Sequence, residues 1–520
     1  MKGLSRRKFL LAAAGGTGAA GLAAGFLRAH RPRPGEPAAR AEPPLPPDPA
    51  FPNPLRIPGS EGLFGVADAS GSFTLVAKAV EHDILPGKRA RMLAYELELP
   101  NRTLLNPVLR ARTGTALRIK FWNALGEASI IHWHGFKVDS NNDGHPNYAV
   151  PGGAIYDYQF TVANRAGTYW YHPHPHHLTG KQAYLGLASF FIVEDDEELA
   201  LQTALDLKFG ETDVPLLLQD RRLDERGGLS YSPTDEDRLH GYFGNEVLVN
   251  WTSRAHFHAA TRIHRFRVLN ASNARLYRLA FRHDGRLIDY TVIGTDGGLL
   301  ERPRAVKESF LAPGERVDLL LDLRAAARGD AITLVSLPFD AMHVETRGAA
   351  DAHAHSGHGA LGGLPDGAEI ELLRIRVQNK THYDRAVPMA LSHIESPAES
   401  PYSPRLMVLD RADGRWRING ATYRRDETPL AVKRDTVEVW DIRNMQPAMP
   451  HPMHIHGFLF RALSRTGSPE QQRRLAVDPS GLAATDLGWK DTILVWPGET
   501  VRIVTDFSHP FLGDQVYMFH

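Results

Sequence analysis

The chain has 520 residues, with 46 Gly, 36 Pro, 25 His and no Cys. At roughly 150 residues per domain this length holds about three domains. With 42% apolar and 23% charged residues the composition is globular, neither disordered nor membrane-spanning. A formal net charge of zero argues against a nucleic-acid binder held by phosphate contacts. The absence of cysteine excludes disulfides, thiol nucleophiles and thiolate metal sites within these residues.

Ser5-Arg6-Arg7-Lys8-Phe9-Leu10 opens the chain, followed by a weakly apolar Ala/Gly run from Leu11 to Leu27. That run is too short and too polar to span a membrane stably. An arginine pair before such a run resembles a twin-arginine (Tat) export signal, and Ala39-Arg40-Ala41 fits a cleavage site. Residues 1–41 are therefore read as a signal peptide handled by the Tat export machinery. The mature chain is expected in the periplasm or outside the cell, without a transmembrane segment. The signal holds 8 Lys/Arg and 1 Asp/Glu, leaving 52 basic and 59 acidic residues in the mature part. Residues 42–54 are Pro-rich and read as a linker.

From residue 55 onward short alternating runs dominate, such as Leu117-Arg118-Ile119-Lys120-Phe121, Thr436-Val437-Glu438-Val439-Trp440 and Val501-Arg502-Ile503, punctuated by Gly, Pro and Asn. This is the pattern of half-buried strands in β-sandwiches. A diverged threefold repeat runs through them. A strand ends in Asn123, Asn270 and Asn444, and each Asn precedes a Pro-Gly pair: Pro151-Gly152, Pro313-Gly314 and Pro497-Gly498. The predicted architecture is all-β: three consecutive Greek-key sandwiches at 55–205, 206–380 and 381–520.

The copies differ after the Asn. Ile131-His132-Trp133-His134-Gly135 follows Asn123, and His451-Pro452-Met453-His454-Ile455-His456-Gly457 follows Asn444. Asn270 is followed by Ala271-Ser272-Asn273-Ala274-Arg275. The first and third copies are equipped for metal, and the middle one reads as a spacer and a wall on the substrate side. About one His-x-His pair is expected by chance at this histidine content; six occur, at 132/134, 172/174, 174/176, 256/258, 353/355 and 454/456. Alternate residues of a strand face the same way, so each pair sets two imidazoles on one face. Imidazole suits copper, zinc, iron and nickel alike. His172 and His174 follow the strand Gly167-Thr168-Tyr169-Trp170-Tyr171 and join the candidate ligands. His176 and His177 read as loop residues or neighbours of the ligands. His256 and His258 read as solvated loop residues. His353, His355 and His358 fall in a Gly/Ala-rich surface loop that could collect copper or zinc loosely.

These motifs together resemble the multicopper oxidases, the laccases and cuprous oxidases, over nearly the whole mature chain. The resemblance implies cupredoxin-like sandwiches, a copper cofactor and dioxygen as co-substrate. It implies that His132 and His454 hold a type 2 copper, and that His134, His172, His174 and His456 hold a type 3 pair. His451 becomes a type 1 ligand. Asp143, in Asp143-Gly144-His145-Pro146, matches an acidic residue that delivers protons to dioxygen; from the residues alone it also reads as a turn residue before Gly. Electrons taken singly from a phenolic, aromatic or metal-ion donor reduce dioxygen to water. A non-catalytic copper-binding or cell-envelope scaffold on the same fold is the alternative, and a copper buffer using the His353 loop is a third.

The family's final His-Cys-His block is absent. Tyr517-Met518-Phe519-His520 aligns with Tyr169-Trp170-Tyr171-His172, which makes His520 a further type 3 ligand. The repeat predicts another x-His beyond it, and the resemblance makes x the type 1 cysteine. The third sandwich is therefore expected to be incomplete, the type 1 site unformed and the chain as given inactive, with an incomplete record or a premature stop as the favoured cause and a genuine shortened variant as the alternative. Reading the nucleotides past the His520 codon decides this.

Overall fold

The computed structural model describes residues 43–59, 62–343, 363–395 and 399–520. The signal segment and the loop bearing His353, His355 and His358 lie outside them. From residue 45 onward the chain forms one compact unit whose regular structure is mainly strand. Among the described residues the longest helix, Asp196–Ala204, has nine residues and starts where Asp195 accepts the Glu198 amide. No helix among the described residues is long and apolar enough to cross a membrane.

Three pairs of sheets follow one another along the chain. The first pairs a six-stranded sheet around Gly71–Leu85 with a five-stranded sheet that carries Ile131–His134 and Gly167–Pro173. The second is built from two larger sheets around Ile263–Asn270 and Ile370–Asn379. The third joins a six-stranded sheet around Val437–Asn444 to the two strands His451–His454 and Thr492–Val495. Alternation in sequence becomes alternation in burial. Along Ala116–Asn123 every second side chain is buried against the first core, and Val437–Asn444 repeats the pattern in the third. Asn53 and Pro54, at the end of the Pro-rich stretch, pair with Ala255 and His256 in the middle sandwich.

The repeated Asn does the same work in each copy. Its side-chain amide donates to two carbonyls: Glu127 and Val150 for Asn123, Arg275 and Leu311 for Asn270, Met449 and Val495 for Asn444. Its own carbonyl accepts the amide of Gly153, Gly314 and Gly498. The copies therefore superpose Gly153, not Gly152, on the glycines of the later Pro-Gly pairs. Only Gly153 has the left-handed φ of +86° that Gly314 (+86°) and Gly498 (+82°) share. The first copy is offset by one residue from its Pro-Gly match, because the turn selects the glycine with positive φ rather than the one that follows Pro.

Candidate metal centre

Strand pairing places the histidines. Ile131–His134 runs antiparallel to Gly167–Pro173, with His132 opposite His172 and His134 opposite Trp170. In the third sandwich His454 and His520 exchange both backbone hydrogen bonds, at 2.7 and 3.1 Å, so His520 stands to His454 as His172 stands to His132. The residue between each motif pair turns to the other face. Trp133 packs into the first core against Tyr158, Tyr171 and Phe191, while His132 and His134 face the third sandwich.

Seven imidazoles converge there and sort into three sets. His132 Nε2 lies 3.4 Å from His454 Nε2. His134 Nδ1 lies 3.3 Å from His172 Nε2. His520 Nε2 lies 3.4 Å from His174 Nε2 and 3.2 Å from His456 Nε2. Imidazole nitrogens about 2.0–2.1 Å from a shared first-row ion stand about 3.3 Å apart at tetrahedral angles, so the spacing within each set fits a common ion. Six of the seven are buried, and only His520 reaches the surface. Burial first, then neighbouring cationic or imidazole groups, hold His134, His172, His174, His454 and His456 well below the ordinary histidine pKa. Neutral rings keep the lone pairs that bind metal.

The outward nitrogens of His132, His172, His454 and His456 are fixed by acceptors, which sets their tautomers. His132 Nδ1 donates to the Asp143 carbonyl at 2.6 Å, His172 Nδ1 to the Pro173 carbonyl at 2.9 Å and His454 Nδ1 to the Asp491 carbonyl at 2.8 Å. His456 Nδ1 donates to Asp143 Oδ2 at 2.8 Å. Asp143 thus touches a ring of the first copy and a ring of the third. Its buried Oδ1 has no hydrogen-bond partner and lies 3.4 Å from His132 Nδ1. The adjoining Gly144 leaves room for this, since a Cβ there would sit 2.0 Å from the Ile131 carbonyl oxygen.

His134 is held the other way round. Its Nε2 meets Asp491 Oδ1 at 2.9 Å, and Asp491 is paired with Arg316 of the middle sandwich. The middle copy is therefore not a mere spacer, because it supplies a guanidinium to the centre. Sequence reading missed both residues; Trp489-Lys490-Asp491-Thr492 has no ligand spacing, and Arg316 lies in a copy without histidine motifs. The glycine of His132-Trp133-His134-Gly135 is explained by them. Gly135 has φ +86°, and a Cβ there would lie 2.4 Å from Asp491 Oδ2.

His451 stands apart from the seven, in the same strand as His454. Burial pushes its pKa down to about 4, and its Nε2 has no hydrogen-bond partner. Trp416 packs edge-on against it at 4.7 Å. The chain holds no cysteine, so a thiolate-bearing copper site at His451 does not fit these residues. His176 turns away, against His177 and Tyr423. His256 and His258 are not in a loop; they occupy the strand Ala255–Ala260, where His256 Nδ1 donates to the Phe51 carbonyl. Pairing with Ile370–Asn379 makes this segment a strand, where its place in the copy without metal motifs had suggested a solvated loop.

Sequence profiles of the multicopper oxidases match residues 87–198 and 398–520. The fold matches the crystal structure of McoA multicopper oxidase from Aquifex aeolicus with a TM-score of 0.78 and 38% identity, over 90% of this chain and 95% of that one. Multicopper oxidase mco of Staphylococcus aureus is 29% identical over 86% of this chain and 84% of its own length. Cell division protein FtsP of Photorhabdus laumondii is 28% identical over 79% and 78%. With three tandem sandwiches, a buried set of neutral imidazoles and this likeness, the chain belongs to the multicopper oxidase family, and copper is the metal its histidines imply.

Proposed function

We propose that this chain forms the dioxygen-reducing centre of a laccase-type oxidase whose donors are phenols, aromatic amines or metal ions. The observation that carries the reading is the sorting of seven imidazoles into sets of two, two and three, with the outer nitrogens of five of them fixed by acceptors. His132 and His454 would hold a type 2 copper. His134 with His172, and His174 with His456 and His520, would hold a type 3 pair. Copper bound there supplies the one-electron steps by which dioxygen takes four electrons and four protons to become water. Burial keeps His134, His172, His174, His454 and His456 neutral, and the outer nitrogens of His132, His134, His172, His454 and His456 orient those rings. Asp143 anchors His456 with one carboxylate oxygen and keeps the other available to accept a proton and pass it on.

On the donor side, a cavity of about 250 Å³ is lined by His240, His343, Trp416 and Met449. Trp416 connects it to His451. These residues offer the imidazoles of His240, His343 and His451 but no thiolate, so they form no thiolate-bearing electron entry site. The twin-arginine motif supports export by the Tat route of a chain folded beforehand, to the periplasm or outside the cell.

Reconstitution of the purified chain with copper tests the reading. About three ions per chain are expected, without an intense blue thiolate-to-copper band and without donor turnover. A chain that retains no copper would overturn it. That result would favour a scaffold role, to which the likeness to FtsP also points.

A further inference from the structure

Every imidazole of the centre whose outer nitrogen is engaged presents Nε2 inward, except His134, which presents Nδ1. A neutral imidazole carries one N–H, so Nδ1 of His134 can bind metal only if the proton sits on Nε2. Two groups face Nε2: Asp491 Oδ1 at 2.9 Å and Thr492 Oγ1 at 3.1 Å. The Thr492 hydroxyl donates to the same Asp491 oxygen at 2.8 Å, which leaves its oxygen as an acceptor towards the ring. An ionised carboxylate can only accept. The arrangement therefore allows one tautomer of His134, provided Asp491 remains a carboxylate and does not rotate.

Arg316 secures both conditions. Its Nη1 and Nη2 meet Asp491 Oδ1 and Oδ2 at 2.8 and 2.5 Å, a bidentate pair with both side chains fully buried. The remaining donors are all used: Nε on the Thr168 carbonyl at 2.8 Å, Nη1 on Gly314 at 2.9 Å and Nη2 on Asp296 at 3.0 Å. Five N–H groups meet five acceptors in a planar fork that lysine cannot reproduce. Those acceptors come from all three sandwiches: Thr168 from the first, Gly314 and Asp296 from the middle, Asp491 from the third.

We infer that Arg316 is a positioning residue: it holds Asp491 as an acceptor against the Nε2–H of His134 and so presents Nδ1 of that ring to the metal centre. The middle sandwich, which carries no ligand, thereby decides which nitrogen of a first-sandwich ligand faces the metal. The inference rests on reading the histidine cluster as a metal centre.

Side-chain nitrogen NMR of the full copper-free chain, labelled with ¹⁵N-histidine, reads the tautomer directly. His134 is expected as Nε2–H while His132, His172, His454 and His456 are Nδ1–H; finding His134 as Nδ1–H overturns the inference without any variant. Copper retention is then compared in Asp491→Asn, Arg316→Lys and the charge-neutral pair Arg316→Met with Asp491→Asn. Each is expected to bind copper 10–100-fold more weakly, and the Asn variants are expected to show mixed His134 tautomers. Asp491→Asn with the parental tautomer and parental copper retention overturns the inference, as does full retention in Arg316→Lys, which would reduce Arg316 to a charge. A parental chain that takes up no copper refutes the proposed function instead, and the tautomer measurement still decides this point.

Discussion

Two buried polar clusters lie against the first sandwich, and they solve the cost of burying polar groups in opposite ways. Between the first and middle sandwiches, Arg265 and Arg267 meet Glu198, Asp213 and Asp318, all fully or almost fully buried. There every cation faces carboxylates, and Arg267 grips Asp213 with two bonds of 2.8 and 2.7 Å. Between the first and third sandwiches the groups are neutral rings whose inward nitrogens face one another. Lone pairs that oppose lone pairs cannot satisfy each other. The first cluster is closed by its own charges and glues two sandwiches. The second turns its ring nitrogens toward shared points where a cation would satisfy them.

The largest expected effect breaks the closed cluster. Arg267→Met strands Asp213 and Glu198 and is expected to lower the unfolding free energy by about 3–5 kcal/mol. Denaturant melts of the copper-free chain check this, and copper bound per folded chain should not change. His454→Ala acts on the open cluster and should reverse that pattern. It is expected to cost the copper-free chain only about 1–2 kcal/mol and to remove at least the ion shared with His132, as metal analysis would show.

Acid should distinguish the clusters next. Burial holds His134, His172, His174, His454 and His456 neutral in the fold and well below their ordinary value, as it lowers His264 to about 4 in the middle sandwich. Between pH 6.5 and about 4 the unfolded chain therefore binds more protons than the folded one, and stability rises with pH. The melting temperature of the copper-free chain should fall as pH drops through this window. A flat profile would show that the rings are not held neutral. The smallest effect belongs to His258, exposed in its strand. His258→Ala should change stability by less than about 0.5 kcal/mol and leave copper binding untouched; a lost ion would add a site outside the cluster.

Much of the candidate centre was legible because strand geometry is local. His-x-His pairs on strands must face one way, and the structure brings His132, His134, His172, His174, His454, His456 and His520 together. The alignment of Tyr517–His520 with Tyr169–His172 made His520 the counterpart of His172, and in the fold His520 pairs with His454 as His172 pairs with His132. The Pro-Gly match was one residue out in the first copy, since sequence identity cannot show which glycine takes the positive φ. The strand carrying His256 and His258 was unreadable because its partners, Leu373 to Asn379, lie more than a hundred residues away.

The residues by themselves determined the all-β class, the repeat and the imidazoles that could bind metal, because these depend on spacing along one or two strands. The way the rings are held was decided by the tertiary structure alone. Asp491 is 357 residues from His134 and 175 from Arg316, and their contacts exist only when three sandwiches meet. Which nitrogen of a ring carries its proton depends on the acceptor packed against it, and that acceptor is chosen by the fold rather than by its neighbours in the chain.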